Sequence, residues 1–335
     1  MSIIMTGGGT GGHLAIIKAV KEKLAEEELI YVGSTKGQDK QWFEKDEDFK
    51  AKYFFQTRGV VNQGALGKIK SLWMVAKATI KGVFLIKKHK VKVVFSVGGF
   101  SSAPMAFASK LTFTPLVIHE QNASLGSLNR LLKPYATHFI SSYLEESPIS
   151  AYPIKKVFFE NAHIRKELKT IIFLGGSQGA KAINSLALEL APILKEKKIN
   201  IIHQAGQNNI KEIKMMYQAL DIEADVFGFT SKLDEYMNKA DFAIARSGAS
   251  TLWELSASGI PSLYIPYPYA SSNHQFYNAK FFVDKELAWV VNENEIKIDK
   301  IIALFNAPLN QKSEALLKIV RPNGSQEIAS LLTQI

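Results

Sequence analysis

A strand, a glycine-rich turn and a helix open each half of this 335-residue chain, and that repeat constrains the fold more than any other feature. The first copy reads SIIMTGGGTGGHL from residue 2 and the second TIIFLGGSQGAKA from residue 170. Helices are expected to follow at about 12–28 and 180–195. Further apolar runs at 29–32, 91–97, 116–119, 137–141, 200–203, 241–245 and 262–265 read as strands buried on both faces, as in parallel sheets covered by helices. The expected fold class is therefore α/β, with two Rossmann-like doubly wound parallel-sheet domains. The expected boundary divides 1–157 from 158–335, near Pro148 and Pro153, with the last helix free to pack back on the first domain. Ligands of open α/β sheets bind beyond the carboxyl ends of the strands, so two such domains would face a central cleft.

The glycines narrow the chemistry. Gly7, Gly9 and Gly12 satisfy the dinucleotide pattern G-x-G-x-x-G. A nicotinamide dinucleotide also needs an acid at the end of the second strand, and here Val32 runs into Gly33, Ser34 and Thr35. No Gly-Lys-Ser/Thr follows either glycine turn, which removes the P-loop reading. What remains is an anion seated on backbone N–H groups at a helix N-terminus. Gly98 and Gly99 offer a third turn of this kind. His13 stands where the first turn enters its helix and is the candidate general base, since an unperturbed imidazole titrates near neutrality.

Composition excludes other classes. Without cysteine there is no disulfide, thiolate zinc site or cysteine nucleophile. No apolar stretch approaches the ~18–20 residues of a membrane span, and no leader is expected before the first strand. The net charge of +10 is concentrated in the first half: residues 1–155 carry 21 Lys and Arg against 12 Asp and Glu, the rest 20 against 19. Between Lys68 and Lys92 there is no acid at all. The anionic partner this implies is a membrane surface rather than nucleic acid, because no interleaved aromatic platform accompanies the lysines.

The motifs GGTGGH at 8–13, HEQN at 119–122, GGSQGA at 175–180 and RSGA at 246–249, followed by Glu254, stand in the order seen in one family. The chain resembles the MurG family of peptidoglycan glycosyltransferases from about residue 3 to residue 320. The resemblance implies the two-domain GT-B architecture and an inverting transfer with no cofactor and no required metal. The implied donor is UDP-GlcNAc. The implied acceptor is the 4-hydroxyl of N-acetylmuramic acid in lipid I, an undecaprenyl-diphospho-muramoylpentapeptide, and the product is lipid II. A lipid acceptor such as diacylglycerol is the alternative within the fold.

Roles carry over residue by residue as implications of that resemblance. His13 would take the proton of the acceptor hydroxyl, and Thr10, Gly11 and Gly12 would approach the donor. Gly8, Gly9, Gly98 and Gly99 would hold the acceptor diphosphate. On the donor, Asn122 and Gln275 would reach the sugar, Ser177 and Arg165 the phosphates, and the backbone at Thr230 the uracil. The segment Ala249, Ser250, Thr251, Leu252, Trp253 and Glu254 would complete the donor site, with Glu254 on both ribose hydroxyls. Two loops depart from the family pattern: NAHIR at 161–165 keeps only the arginine of Gly-Asn-Pro-Val-Arg, and ASSNH at 270–274 lacks the usual acid. Membrane contact is assigned to Lys68, Lys70, Trp73, Lys77, Lys81 and Phe84, and to the lysines above the apolar residues, part of which must pack on the sheet. The implied location is peripheral, on the cytoplasmic face of the inner membrane, near other cell-wall synthesis proteins.

Overall fold

A computed structural model describes all residues except 60–63 and 177, and also omits the side chain of residue 65. The chain forms two compact units, Met1–Ile154 with Asn323–Ile335, and Lys155–Pro322. The division falls at Ile154, a little before the expected 157. The closing residues 323–335 belong to the first unit and not to the second.

In the first unit the strands are β1 (Ser2–Thr6), β2 (Glu28–Ser34), β3 (Ala51–Phe55), β4 (Val91–Ser96), β5 (Leu116–Glu120) and β6 (His138–Ser141). They form one sheet in the order β3-β2-β1-β4-β5-β6, and every pairing is parallel. The second unit repeats this with β7 (Thr170–Leu174), β8 (Asn200–Gln204), β9 (Asp225–Phe227), β10 (Phe242–Ala245), β11 (Ser262–Tyr264) and β12 (Trp289–Val290). Its order is β12-β11-β10-β7-β8-β9, again all parallel. In each sheet the order reverses beside the strand that carries a glycine turn, which is where such sheets bind ligands.

The core strands are apolar because helices cover both faces. Ile3, Ile4 and Met5 of β1 and Ile171, Ile172 and Phe173 of β7 are fully buried. The first helix, Gly11–Lys21, ends well before the expected residue 28. Its last residue turns inward, and Lys21 Nζ is held by Asp46 and Asp48 at 2.7 and 2.5 Å. The final helix, Gly324–Gln334, packs beside that first helix and buries Ile328, Ala329 and Leu332. It starts so close to the chain that a Cβ on Gly324 would lie 2.5 Å from the Ala151 carbonyl oxygen.

Candidate active site

In the first unit the glycine turn is folded by a carboxylate. Asp39 is fully buried; its Oδ1 accepts the Gly9 N–H at 2.6 Å and its Oδ2 accepts the Ser34 N–H at 2.8 Å. Burial pushes the Asp39 carboxyl above its usual range, and the two backbone N–H groups partly oppose that. The Gly8 N–H donates to the Gly98 carbonyl at 3.3 Å, and the Tyr31 hydroxyl to the Gly7 carbonyl at 3.0 Å. A Cβ on Gly8 would lie 2.4 Å from Asp39 Oδ1, and one on Gly99 2.4 Å from the Gly8 carbonyl oxygen, so both turns need glycine to nest together. This corrects the expected role of Gly8 and Gly9. Their N–H groups are spent inside the protein and cannot also grip a diphosphate.

The same turn positions His13, the candidate base. Thr10 precedes the Gly11–Lys21 helix but places no side-chain cap on it. Its Oγ1 lies instead 2.9 Å from His13 Nδ1. On the other side of the ring, Gln121 Nε2 lies 3.1 Å from His13 Nε2. Gln121 and the adjoining Asn122 follow β5 in a loop that Glu120 organises. Glu120 is 2 % exposed; its Oε1 accepts the Asn122 N–H at 3.0 Å, and its Oε2 accepts the Gly126 N–H at 3.0 Å and Asn129 Nδ2 at 2.9 Å. His119, wholly buried beneath, is driven down to about 3 by desolvation and then by His13, and stays neutral. The structure thus brings His13, Thr10 and Asn122 into one region. It adds Asp39, Glu120 and Gln121, whose inward-facing roles no spacing rule announces.

The second unit holds a cavity of about 500 Å³ at the carboxyl ends of β7 and β10. Gly176, Lys181, Arg246, Thr251, Gln275 and Glu293 are among its lining residues. Arg246 Nη1 donates to the Ile265 and Pro266 carbonyls at 3.0 Å each, Nη2 pairs with Glu293, and the guanidinium lies 5.5 Å from the Tyr267 ring centroid. Gln275 Oε1 accepts the Tyr267 N–H at 2.9 Å. Helices begin at Lys181 and Ala249 beside this cavity, neither with a side-chain cap, so their positive ends are open to an anion. Glu254, on the Ala249–Ala257 helix, has its carboxyl pushed up to about 7 by desolvation, with Asp234 adding to the rise and Lys155 opposing it.

Two domain models match the chain: the glycosyltransferase family 28 N-terminal domain over residues 3–141 and the family 28 C-terminal domain over residues 170–331. The chain belongs to glycosyltransferase family 28. A relative from Sulfurovum sp. (strain NBC37-1) is 67% identical over 332 residues, spanning 99% of this chain and 98% of the relative. One from Campylobacter jejuni subsp. jejuni serotype O:6 is 50% identical, spanning 97% and 95%. Both are named UDP-N-acetylglucosamine–N-acetylmuramyl-(pentapeptide) pyrophosphoryl-undecaprenol N-acetylglucosamine transferase. The crystal structure of Acinetobacter baumannii MurG superposes with a TM-score of 0.81 at 26% identity, covering 100% of this chain and 99% of that one. Two parallel six-stranded sheets flanked by helices are the GT-B architecture of family 28 glycosyltransferases.

Three site expectations drawn from the family motif need correction. Leu252 and Trp253 do not present side chains to a ligand. On a helix of 3.6 residues per turn, Ala249, Leu252, Trp253 and Ser256 share the inward face, leaving Ser250, Thr251 and Glu254 half-buried on the other. Trp253 packs on Phe282 with ring centroids 4.9 Å apart. Arg165 is 1 % exposed, and its guanidinium donates to the carbonyls of Asn238, Met237 and Ser258 at 3.1, 3.4 and 3.3 Å. It ties helix ends together from the interior; its Nε–H is buried without a partner among the described residues, and at 1 % exposure the guanidinium is not presented to a ligand. Thr230 Oγ1 accepts the Lys232 N–H at 3.0 Å. Ser177 lies outside the described residues.

The lysine-rich segment of this family 28 chain is one helix, Ala65–Lys88, carrying Lys68, Lys70, Trp73, Lys77, Lys81 and Phe84. Its inward face, with Ala78, Leu85 and Ile86, joins the core that contains Met105 and Ala106. Trp73 is 64 % and Phe84 67 % exposed, and Leu66, Ile69, Leu72 and Ile80 are exposed as well. Lys77 Nζ stands 5.4 Å from the Trp73 ring centroid. The apolar residues therefore face solvent as much as the lysines do, which removes the expected preference for the lysines. Among the described residues, no helix is long and apolar enough to cross a membrane.

Proposed function

We propose that the chain transfers N-acetylglucosamine from UDP-GlcNAc to the 4-hydroxyl of N-acetylmuramic acid in lipid I, forming lipid II with inversion at the anomeric carbon. The observation that carries this reading is the 67% identity, over nearly the full length of both chains, to a relative bearing that name. The site chemistry supports it. The first unit supplies the acceptor side: His13 removes the hydroxyl proton, and the acceptor diphosphate goes to the Gly98–Gly99 turn and the Gly11 and Gly12 helix start; Asn122 is kept for the GlcNAc of the donor. The second unit supplies the donor side: Lys181 and two uncapped helix ends stabilise the diphosphate as it leaves, while Arg246, paired with Glu293 and bound to the Ile265 and Pro266 carbonyls, shapes the cavity wall. Gln275 meets the transferred sugar, Glu254 the ribose and the backbone at Thr230 the uracil.

UDP release from UDP-GlcNAc, measured with and without a short-chain lipid I analogue, tests the proposal. Release that needs the analogue, with a disaccharide product, is the expected result. Release with diacylglycerol instead would transfer the reading to another lipid acceptor.

Glu254 gives the donor site a pH dependence. Its carboxyl at about 7 is mostly protonated at pH 6 and mostly ionised at pH 8. The carboxylate accepts one ribose hydroxyl on each oxygen in charge-assisted bonds, which protonation weakens and replaces at one oxygen with an O–H. The diphosphate of UDP-GlcNAc is doubly esterified and does not titrate in this range. Calorimetry should therefore show UDP-GlcNAc binding up to about 10-fold tighter at pH 8 than at pH 6, and a flat profile for Glu254→Gln. A flat profile in the unaltered protein would remove Glu254 from the ribose.

The enzyme reaches its acceptor at an anionic membrane surface, through the Ala65–Lys88 helix. The vesicle partition coefficient on phosphatidylglycerol, read by cosedimentation, should fall by about 100-fold or more for Trp73→Ser with Phe84→Ser, since burying each such side chain is worth roughly 1.5–3 kcal/mol. Charge reversal at Lys77 and Lys81 should weaken binding mainly at low salt. Unchanged partitioning of both variants would place the membrane contact elsewhere.

A further inference from the structure

The base of the proposed reaction has both ring nitrogens engaged from within its own unit. Thr10 Oγ1 lies 2.9 Å from His13 Nδ1, and the Gln121 carboxamide nitrogen 3.1 Å from Nε2. A neutral imidazole has one N–H and one lone pair, so one partner must donate and the other accept. With its amide nitrogen toward the ring, Gln121 donates to Nε2 and Nδ1–H donates to Thr10. The single lone pair is then consumed. A proton arriving on Nε2 would also face an N–H group. This arrangement leaves Gln121 Oε1 buried without a hydrogen-bond partner among the described residues, which is unfavourable for a desolvated carbonyl oxygen.

Turning the carboxamide over resolves both conflicts. Its oxygen and nitrogen have nearly the same shape, so the turn requires no repacking. Oε1 then accepts from Nε2–H, and Nδ1 keeps its lone pair toward the Thr10 hydroxyl.

We infer that Gln121 is the positioning residue of the general base: its carboxamide oxygen holds His13 Nε2–H, which fixes Nδ1 as the nitrogen that receives the proton. The inference deepens the proposed transferase reading and rests on it. In the reaction the acceptor oxygen bonds to the anomeric carbon, and the bond from that carbon to UDP breaks with its electron pair on the departing phosphate oxygen. The hydroxyl proton ends on Nδ1, by way of the Thr10 hydroxyl seated there. The resulting imidazolium donates from Nε2 to the Gln121 carbonyl. An acidic or amide partner on the far nitrogen of a catalytic histidine acts in this way, setting the tautomer and favouring the charged ring.

The test reads the tautomer and the rate separately. In the ¹⁵N-labelled protein above the titration range of His13, the imidazole resonances assigned by their loss in His13→Gln should show the Nε2–H form. Gln121→Leu should lose that preference and lower kcat about 10- to 100-fold, with the KM for UDP-GlcNAc within twofold. Gln121→Glu should keep the tautomer and move the acid limb of the kcat profile up by about one pH unit. An Nδ1–H tautomer in the unaltered protein, or an unmoved acid limb in Gln121→Glu, overturns the assignment, and neither result depends on the leucine variant folding. The resonances need no acceptor. The expected tautomer without transfer to a lipid I analogue would therefore uphold Gln121 and sink the transferase reading.

Discussion

Replacing His13 with glutamine is expected to lower kcat by about 10²–10⁴-fold, the range that positioned proton transfer contributes. Affinity for UDP-GlcNAc should change by no more than about twofold. The split follows from where the residues sit. His13 belongs to the first unit, against Thr10 and Gln121, while the cavity with Lys181, Arg246 and Gln275 belongs to the second. Loss of the base leaves every donor contact in that cavity intact. Transfer at saturating donor and acceptor, beside calorimetric binding of UDP-GlcNAc, separates the two quantities. A variant with full turnover would falsify the role of His13. A variant with normal turnover per bound donor but weak binding would make His13 a donor contact instead.

Sequence alone gave access to whatever local patterning governs. β1, β4, β7 and β10 are continuous apolar runs because helices cover both faces of the sheet, and the turns after β1 and β7 announce themselves by glycine. Of the four edge strands, β6 shows in the sequence as an apolar run, while β3, β9 and β12 do not. Residues of β3 are mostly half-buried, with Lys52 among them, β9 begins on exposed Asp225, and β12 is two residues long. The site was legible only as far as residue type and order carry. His13, Asn122, Thr251, Glu254 and Gln275 stood in motifs. Asp39 and Glu120 did not, because a carboxylate that folds a loop looks in sequence like any surface acid until burial and N–H partners define it. The search for an acid after Val32 looked for one aimed at a ribose. The acid present, Asp39, lies five residues beyond Ser34 and aims at the backbone of the glycine turn.

Arg165 shows the opposite failure, in which a motif position was given a ligand and the fold had already used it. Its guanidinium bridges the carbonyls of Met237 and Asn238, at the end of the Leu233–Lys239 helix, to that of Ser258, just past the Ala249–Ala257 helix. Those are the orphan acceptors and negative dipole ends that a cation satisfies best. Burial lowers the guanidinium to about 10, opposed by Asp241, so it remains charged at neutral pH. Arg165→Ala would strand several buried carbonyls and open a large void. The expected loss is about 3–5 kcal/mol from the second unit, or roughly 6–20 °C in its melting temperature. Arg165→Lys should recover only part of this, since one ammonium cannot span acceptors on two helices. Measured well below the transition, UDP-GlcNAc affinity of the alanine variant should stay near that of the unaltered chain. A full melting temperature with weakened donor binding would return Arg165 to the phosphates and mean that these helix ends need no tie.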